Sequence, residues 1–401
     1  MHRLPAPTSR IARISRWCGL SLAALLAACG GGGGGGSSDP TTPTTPTPTS
    51  IAITLTAPEA EAVFTATAAL SVTARVTVNG VDAADGTAVS FSALPGPFST
   101  TGATRAGVAT ATLTGAAAGR QEISATTTVS GQSVTATRVV YLRPAPAALE
   151  VLVPAYFHPA SSQGWALLAS GAAANPAVSV TAILNPNNGV FTTAEASYVS
   201  AVNAFVSAGG KVVGYVFTGY GTGSRSLASI KANIDNYIAL FGRGAISGIF
   251  LDEMASETTR LDFYREIYSY IKAKDASLRV IGNPGLVPSA GYAAVADVLV
   301  TFEGRNVTYA SYDPRTTPWL YTLSNSRQSS LVHNTATCAD MQRAVQSAAS
   351  NRYNAGPIYM TNLEYDPVAD VGNPWDALPS YWTGLLQTVA AVNQGRALPG
   401  C

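Results

Sequence analysis

Histidine is nearly missing from this chain, with three among 401 residues, and cysteine and methionine number only four each. Four cysteines in so long a chain exclude a small disulfide-stapled scaffold. His158 and His333 are far apart in sequence, and neither stands at a zinc-type spacing with Cys338, so no metal and no cofactor is expected. Charge is sparse as well: 12% of residues are charged, the formal net charge is +1, and no block of basic residues could neutralise a phosphate backbone. Nucleic acid is therefore not an expected partner. Lysines are few and no Gly-x-Ser-x-Gly elbow occurs, which leaves Schiff-base and acyl-transfer chemistry without a nucleophile. What the chain has is length for two or three domains at about 150 residues each, and 47% hydrophobic residues with which to build their cores.

The first thirty residues read as an address. Arg3, Arg10, Arg13 and Arg16 precede an apolar run from Trp17 to Ala28, which is too short for the roughly 20 residues of a spanning helix and fits a signal peptide over residues 1–28. The segment Leu26-Ala27-Ala28-Cys29 resembles the bacterial lipobox, whose cysteine is acylated; an ordinary signal peptide with a chance cysteine is the alternative. By that resemblance Cys29 would carry the lipid that attaches the chain to a membrane. Gly30 in place of aspartate points to the outer membrane, facing either the periplasm or the outside. Residues 29–50, with seven consecutive glycines and then a Pro/Thr stretch, cannot bury a core and read as a tether. Of the remaining cysteines, Cys338 and Cys401 are expected to pair as a disulfide, two free thiols being the alternative.

Residues 51–143 alternate in period two: Leu70-Ser71-Val72-Thr73-Ala74-Arg75-Val76, Val89-Ser90-Phe91, Ala109 to Leu113 and Glu122 to Thr126, between turn signals at Asn79-Gly80, Asp85-Gly86, Ala106-Gly107 and Ser130-Gly131. This predicts an all-β sandwich, and the segments around Asn79-Gly80, Val89-Ser90-Phe91 and Thr104 to Thr110 resemble a bacterial immunoglobulin-like repeat of the invasin type. Arg143-Pro144-Ala145-Pro146 marks its end.

From 149 to 398 the texture changes. Eight short apolar runs, Val151–Ala155, Val178–Leu184, Lys211–Val216, Ile246–Leu251, Leu278–Gly282, Val298–Phe302, Ser330–His333 and Pro357–Thr361, alternate with helical spacings such as Leu227, Ile230, Ile234, Ile238 and Phe241. That rhythm predicts a (β/α)8 TIM barrel, so the fold class is multidomain, a barrel behind an all-β sandwich; an open doubly wound sheet is the alternative. Such a barrel places its chemistry where strands end. Those ends carry Tyr156 and His158, Asn185, Thr218 and Tyr220, Asp252 and Glu253, Asn283, and Glu303.

Two of those ends deliver carboxylates directly after an apolar run, at Asp252-Glu253 and at Glu303. Glycoside cleavage needs two carboxyl groups flanking the scissile bond, one ionised and one protonated. Tyr156, Tyr215, Tyr220, Tyr365 and Trp375 could supply faces for sugar rings. His158 could hydrogen-bond a sugar or simply be satisfied by its surroundings. The plainer alternatives are that Asp252 caps the next helix, that Glu303 pairs with Arg305 or Arg279, and that Trp375 is core.

Val153-Pro154-Ala155-Tyr156, Leu184-Asn185-Pro186-Asn187, Gly214 to Tyr220, Gly248 to Glu253, Asn283-Pro284-Gly285, Phe302-Glu303, Asn373 to Asp376 and Tyr381-Trp382 together resemble the spherulin-4 family, over nearly all of residues 149–393. The resemblance implies a barrel glycoside hydrolase that cuts α-1,4-linked galactosamine or N-acetylgalactosamine polymers of microbial exopolysaccharides, endo-acting and retaining. Carried over, Asp252 would be the nucleophile, Glu303 the acid/base and Glu253 an orienting or substrate-binding carboxylate. Asn188-Gly189-Val190-Phe191 departs from the family's Gly-Pro-Gly turn. A monomer is expected, and a non-catalytic carbohydrate-binding or adhesion lipoprotein is the other function that the sequence leaves open.

Overall fold

Alternation of period two builds the first hydrophobic core. The structure, a computed structural model, describes residues 49–401 apart from Thr67 and Pro97. The expected signal peptide, Cys29 and nearly all of the tether lie outside the described residues. Along Leu70–Val78 the side chains of Leu70, Val72, Ala74 and Val76 are buried while Ser71 and Arg75 are exposed, because successive residues of a strand face opposite sides. This strand pairs antiparallel with Ile51–Ala57, Val81–Asp82 and Val108–Leu113. A second sheet runs in the order Val63–Thr65, Gln132–Arg143, Gly119–Val129, Ala88–Leu94, Ser99–Ala103, and its Phe91, Ile123 and Val140 share one core with Val72. The turn signals act through backbone sign. Asn79-Gly80 and Ser130-Gly131 each place two positive φ angles between paired strands, which is what a tight two-residue hairpin needs to follow the strand twist.

The eight apolar runs of the second region close into a parallel barrel. Its strands are β1 (Glu150–Ala155), β2 (Val180–Leu184), β3 (Lys211–Phe217), β4 (Ile246–Asp252), β5 (Arg279–Gly282), β6 (Val298–Arg305), β7 (Gln328–His333) and β8 (Pro357–Met360). Strands β2, β7 and β8 are buried at every position, as expected when helices cover the outside and side chains fill the inside. The outer helices are α1 (Gly164–Ala174), α2 (Ala196–Ser207), α3 (Leu227–Phe241), α4 (Leu261–Lys274), α5 (Asn306–Ser311), α6 (Cys338–Ala349) and α7 (Trp382–Asn393). Helix α3 starts where the Ser226 hydroxyl accepts from the Ser229 N–H at 3.1 Å and turns Ile230, Ile234 and Tyr237 onto the strands. Full burial of each such side chain contributes about 1.5–3 kcal/mol. The regular pattern fails once: between β5 and β6 only a 3₁₀ segment, Ala290–Ala294, replaces a helix. That connection carries Pro284, Gly285 and Pro288, which interrupt a helix in its first half.

The end of the barrel where the strands begin is closed by side chains and by the sandwich. Glu150 at the start of β1 and Arg279 at the start of β5 form an ion pair of 2.6 Å. Against the segments that lead into β7 and β8, Arg143 is buried and donates to Asn354 Oδ1 at 3.2 Å, the Tyr141 hydroxyl donates to the Arg315 carbonyl at 3.2 Å, and the Tyr141 and Tyr321 rings lie 5.0 Å apart. The opposite end stays open. Cys338, at the start of α6, is disulfide-bonded to Cys401, which ties the C-terminus to the outer layer.

Candidate active site

Asp252 is the last residue of β4, where the apolar run that fills the barrel stops and the chain turns outward. Its backbone carbonyl is held by the Thr218 N–H and hydroxyl, both at 2.9 Å. Next to it, Glu253 takes a left-handed φ of 49° that costs a non-glycine residue about 1–2 kcal/mol. Its carbonyl accepts from the Tyr220 N–H at 2.7 Å and the Thr218 hydroxyl at 2.7 Å, so the loops after β3 and β4 fix each other. Glu303 comes from β6, whose register against β7 shifts between Val300 and Phe302; such an irregularity re-aims the side chains beyond it. The loop after β2 also closes in on this centre: Gly189 has φ of 73°, and a Cβ there would stand 2.2 Å from the Tyr215 carbonyl oxygen, so no side chain fits.

The two acids meet on one amide. Asn283 Nδ2 donates to Asp252 Oδ1 at 2.8 Å and to Glu303 Oε2 at 2.6 Å, so those oxygens are no farther apart than the sum of the two lengths. The amide cannot be turned over, because its oxygen accepts the Gly285 N–H at 2.9 Å. Asp252 receives a second donor, the Tyr215 hydroxyl, at 2.7 Å on Oδ2. Burial raises the proton affinity of both carboxyls, and at Glu303 the Asp252 charge adds to it. Glu303 is pushed up to about 7, by desolvation first and by the Asp252 charge second, against the opposing Asn283 amide and Trp375 indole. Asp252 is also raised by burial, but Tyr215, its neighbouring backbone and Asn283 all pull the other way. The donors around Asp252 favour its ionised form, so of the two carboxyls Glu303 is the one that holds a proton more readily. Glu253 is raised more simply, by burial and then the Asp252 charge.

These acids open into a cleft of about 660 Å³ across the ends of β3 to β8. Tyr220, Asp252, Glu253, Asn283, Glu303, Tyr365 and Trp375 all line it. Tyr215 stands beneath, bonded to Asp252 and edge-on to Tyr156 at 5.5 Å. Tyr156 feels the charge of both carboxylates, which together with burial raises its phenol well above the usual value. Other expected residues lie elsewhere. Thr218 is fully buried and its hydroxyl is spent on the carbonyls of Asp252 and Glu253 and on the Tyr264 hydroxyl, so it positions the acids and does not reach a substrate. His158 is not in the cleft lining; its Nε2 pairs with Glu195 at 3.0 Å and its Nδ1 accepts the Ala160 N–H. Asn185, at the end of β2, is likewise outside the lining, with Oδ1 buried and unpartnered among the described residues. Nor does Glu303 pair with Arg279, which is committed to Glu150. Sequence reasoning passed over His333, Arg305 and Phe302, which line the cleft from the ends of β6 and β7.

Known proteins resemble the chain in sequence and in fold. The sequence profile described as spherulation-specific family 4 (Spherulin4) matches residues 150–389. Spherulin-4 of Physarum polycephalum is 36% identical over 169 residues, which are 41% of this chain and 48% of that protein, so the chain spans about half the length of this curated relative. The crystal structure of Aspergillus clavatus Sph3 in complex with GalNAc is similar with a TM-score of 0.50 at 23% identity, over 61% of this chain and 98% of that one, a likeness of fold. With more than half of its length matched by the family profile, from the first barrel strand into the last helix, the chain belongs to spherulation-specific family 4.

Proposed function

We propose that the chain is an endo-acting glycoside hydrolase that cleaves a galactosamine- or N-acetylgalactosamine-containing exopolysaccharide with retention at the anomeric carbon. The observation that carries this reading is the Asn283 bridge. The two carboxyl oxygens that share its amide are no farther apart than about 5.4 Å, which supports the close pair of double displacement, about 5–5.5 Å, over the wider pair, about 6.5–9.5 Å, that leaves room for an attacking water. The hydrogen bonds divide the roles. Asp252, ionised and held by Tyr215 and Asn283, attacks the anomeric carbon; Glu303, protonated near neutral pH, gives its proton to the leaving oxygen and then takes one from the water that releases the product. Glu253 orients the sugar from the cleft wall, and Tyr220, Tyr365 and Trp375 offer it apolar faces. The sugar identity is supported by family membership and by the GalNAc carried by Sph3.

The same proposal places the chain at the outer membrane, anchored by lipid on Cys29, facing the periplasm or the outside, as a monomer with the immunoglobulin-like sandwich as spacer. Incubation of the purified chain with partially deacetylated α-1,4-poly-galactosamine, with products read by mass, tests the activity. Oligosaccharides from the wild type and none from Asp252→Asn are expected; retention of the polymer without products would leave a binding protein instead.

A further inference from the structure

We infer that His333 is a specificity-determining residue of the cleft, its Nε2 accepting a hydrogen bond from a hydroxyl or an N–H of the sugar bound there; the inference rests on reading the cleft as a sugar site. His333 ends β7, is 5% exposed and lines the cleft. Its ring packs at a steep angle against Tyr365 at 6.1 Å and Trp375 at 5.9 Å.

The tautomer follows from a chain of donors and acceptors. Asn334 Oδ1 accepts the Tyr365 backbone N–H at 3.1 Å, and a backbone N–H can only donate, so the amide atom facing it is the oxygen. The backbone of Asn334 is pinned by its own N–H to the Leu363 carbonyl at 2.9 Å. That same Oδ1 is in hydrogen-bond contact with His333 Nδ1. An amide oxygen only accepts, so Nδ1 carries the hydrogen. In a neutral imidazole the other nitrogen is then bare. Burial first, and then the charge of Arg305, lower the affinity of this imidazole for a second proton against the opposing Asn334 contact, which favours the neutral ring. Among the described residues the hydrogen bond of this ring is made by Nδ1, which leaves Nε2 without a protein partner.

A bare acceptor in a cleft walled by aromatic rings needs a donor once a ligand displaces water. Sugar hydroxyls and acylamino N–H groups are such donors. A ligand without one at that position leaves the lone pair unsatisfied, and this is how a site built for a hydrogen bond rejects an analogue.

The test is spectroscopic first. The chain contains three histidines, so labelling with ¹⁵N-histidine and assigning by His158→Gln leaves His333 readable in long-range ¹H–¹⁵N spectra of the full chain. Protonated Nδ1 and bare Nε2 are expected, with the Nε2 resonance moving when N-acetylgalactosamine is added. A proton on Nε2, or an Nε2 resonance that the sugar leaves in place, overturns the inference. Two variants then separate binding from support. Glutamine can place an oxygen where Nε2 was, whereas asparagine reaches only the Nδ1 position. His333→Gln is expected to keep kcat/KM within about fivefold of wild type, and His333→Asn to lose about ten- to hundredfold, mostly in KM. The reverse order points to a purely structural imidazole and overturns the proposal. Should the wild type release no product from the polymer, the proposed function falls and this inference with it; should turnover proceed with Nε2 protonated, this inference alone falls.

Discussion

At the end where the barrel strands begin, acids are matched with cations: Glu150 with Arg279 at 2.6 Å, Asp297 with Lys272 at 2.6 Å, Asp275 with Arg243 at 2.7 Å. At the end where the strands finish, Asp252, Glu253 and Glu303 have no cation at ion-pair distance among the described residues, and the pair at the centre is held by the neutral donors Tyr215 and Asn283. The difference teaches where charge serves the fold and where it serves chemistry. Asp275, held by Ser277 and Arg243, loses proton affinity; Glu303, buried and without a cation, gains it and can hand the proton on.

Breaking the mouth costs activity first. Asp252→Asn or Glu303→Gln is expected to lower reducing-end release from the polymer by about a thousandfold or more without unfolding the chain. Tyr215→Phe removes one of the donors that oppose the rise in Asp252's proton affinity, so kcat should drop about ten- to hundredfold and the acid limb of the pH–rate profile should move toward neutral. In the wild type the alkaline limb is expected near pH 7, where Glu303 loses its proton; a rate that stays flat to pH 9 would contradict its role as acid.

Stability should show the opposite sign at the two ends. The proton affinity of Glu303 is raised in the folded chain, so its favourable contribution is complete below the unfolded value near pH 4.5 and is lost as pH rises through about 7. Glu303→Gln cannot ionise and is expected to melt above wild type at pH 8, by up to about 3 kcal/mol of stability, with the gap closing by pH 5. At the other end, Arg279→Met strands Glu150 and should destabilise by about 1–2 kcal/mol while leaving the alkaline limb in place.

Most of the barrel was legible because a strand buried on both faces has to be written as an unbroken apolar run, and a polar letter after such a run marks the mouth. Asp252, Glu253, Asn283 and Glu303 were found that way. The 3₁₀ segment between β5 and β6 is not marked by strand rhythm, which locates the strands and leaves open what joins them; the prolines Pro284 and Pro288 are the signal that a full helix is absent there. Thr218 looked like a binding residue because its letter and position suit one; that its hydroxyl turns inward to three oxygens is a tertiary fact. His158 went to Glu195 for the same reason, a partner 37 positions away. His333 and Arg305 obey the rule that found the acids. Spacing to other histidines and cysteines tests His333 only as a metal ligand and says nothing of its place at the end of the seventh run, and Arg305 lies three residues beyond Phe302, where the apolar run of β6 stops but its strand does not.

The stereochemistry of the first product tests the central claim most directly. Proton NMR of the polymer reaction in its first minutes, before the new reducing ends mutarotate, reads their anomeric configuration. A carboxyl pair held together by Asn283 predicts the configuration of the linkage that was cut. The inverted anomer appearing first would mean that water attacks directly, and that Asp252 and Glu303 do not work as nucleophile and acid.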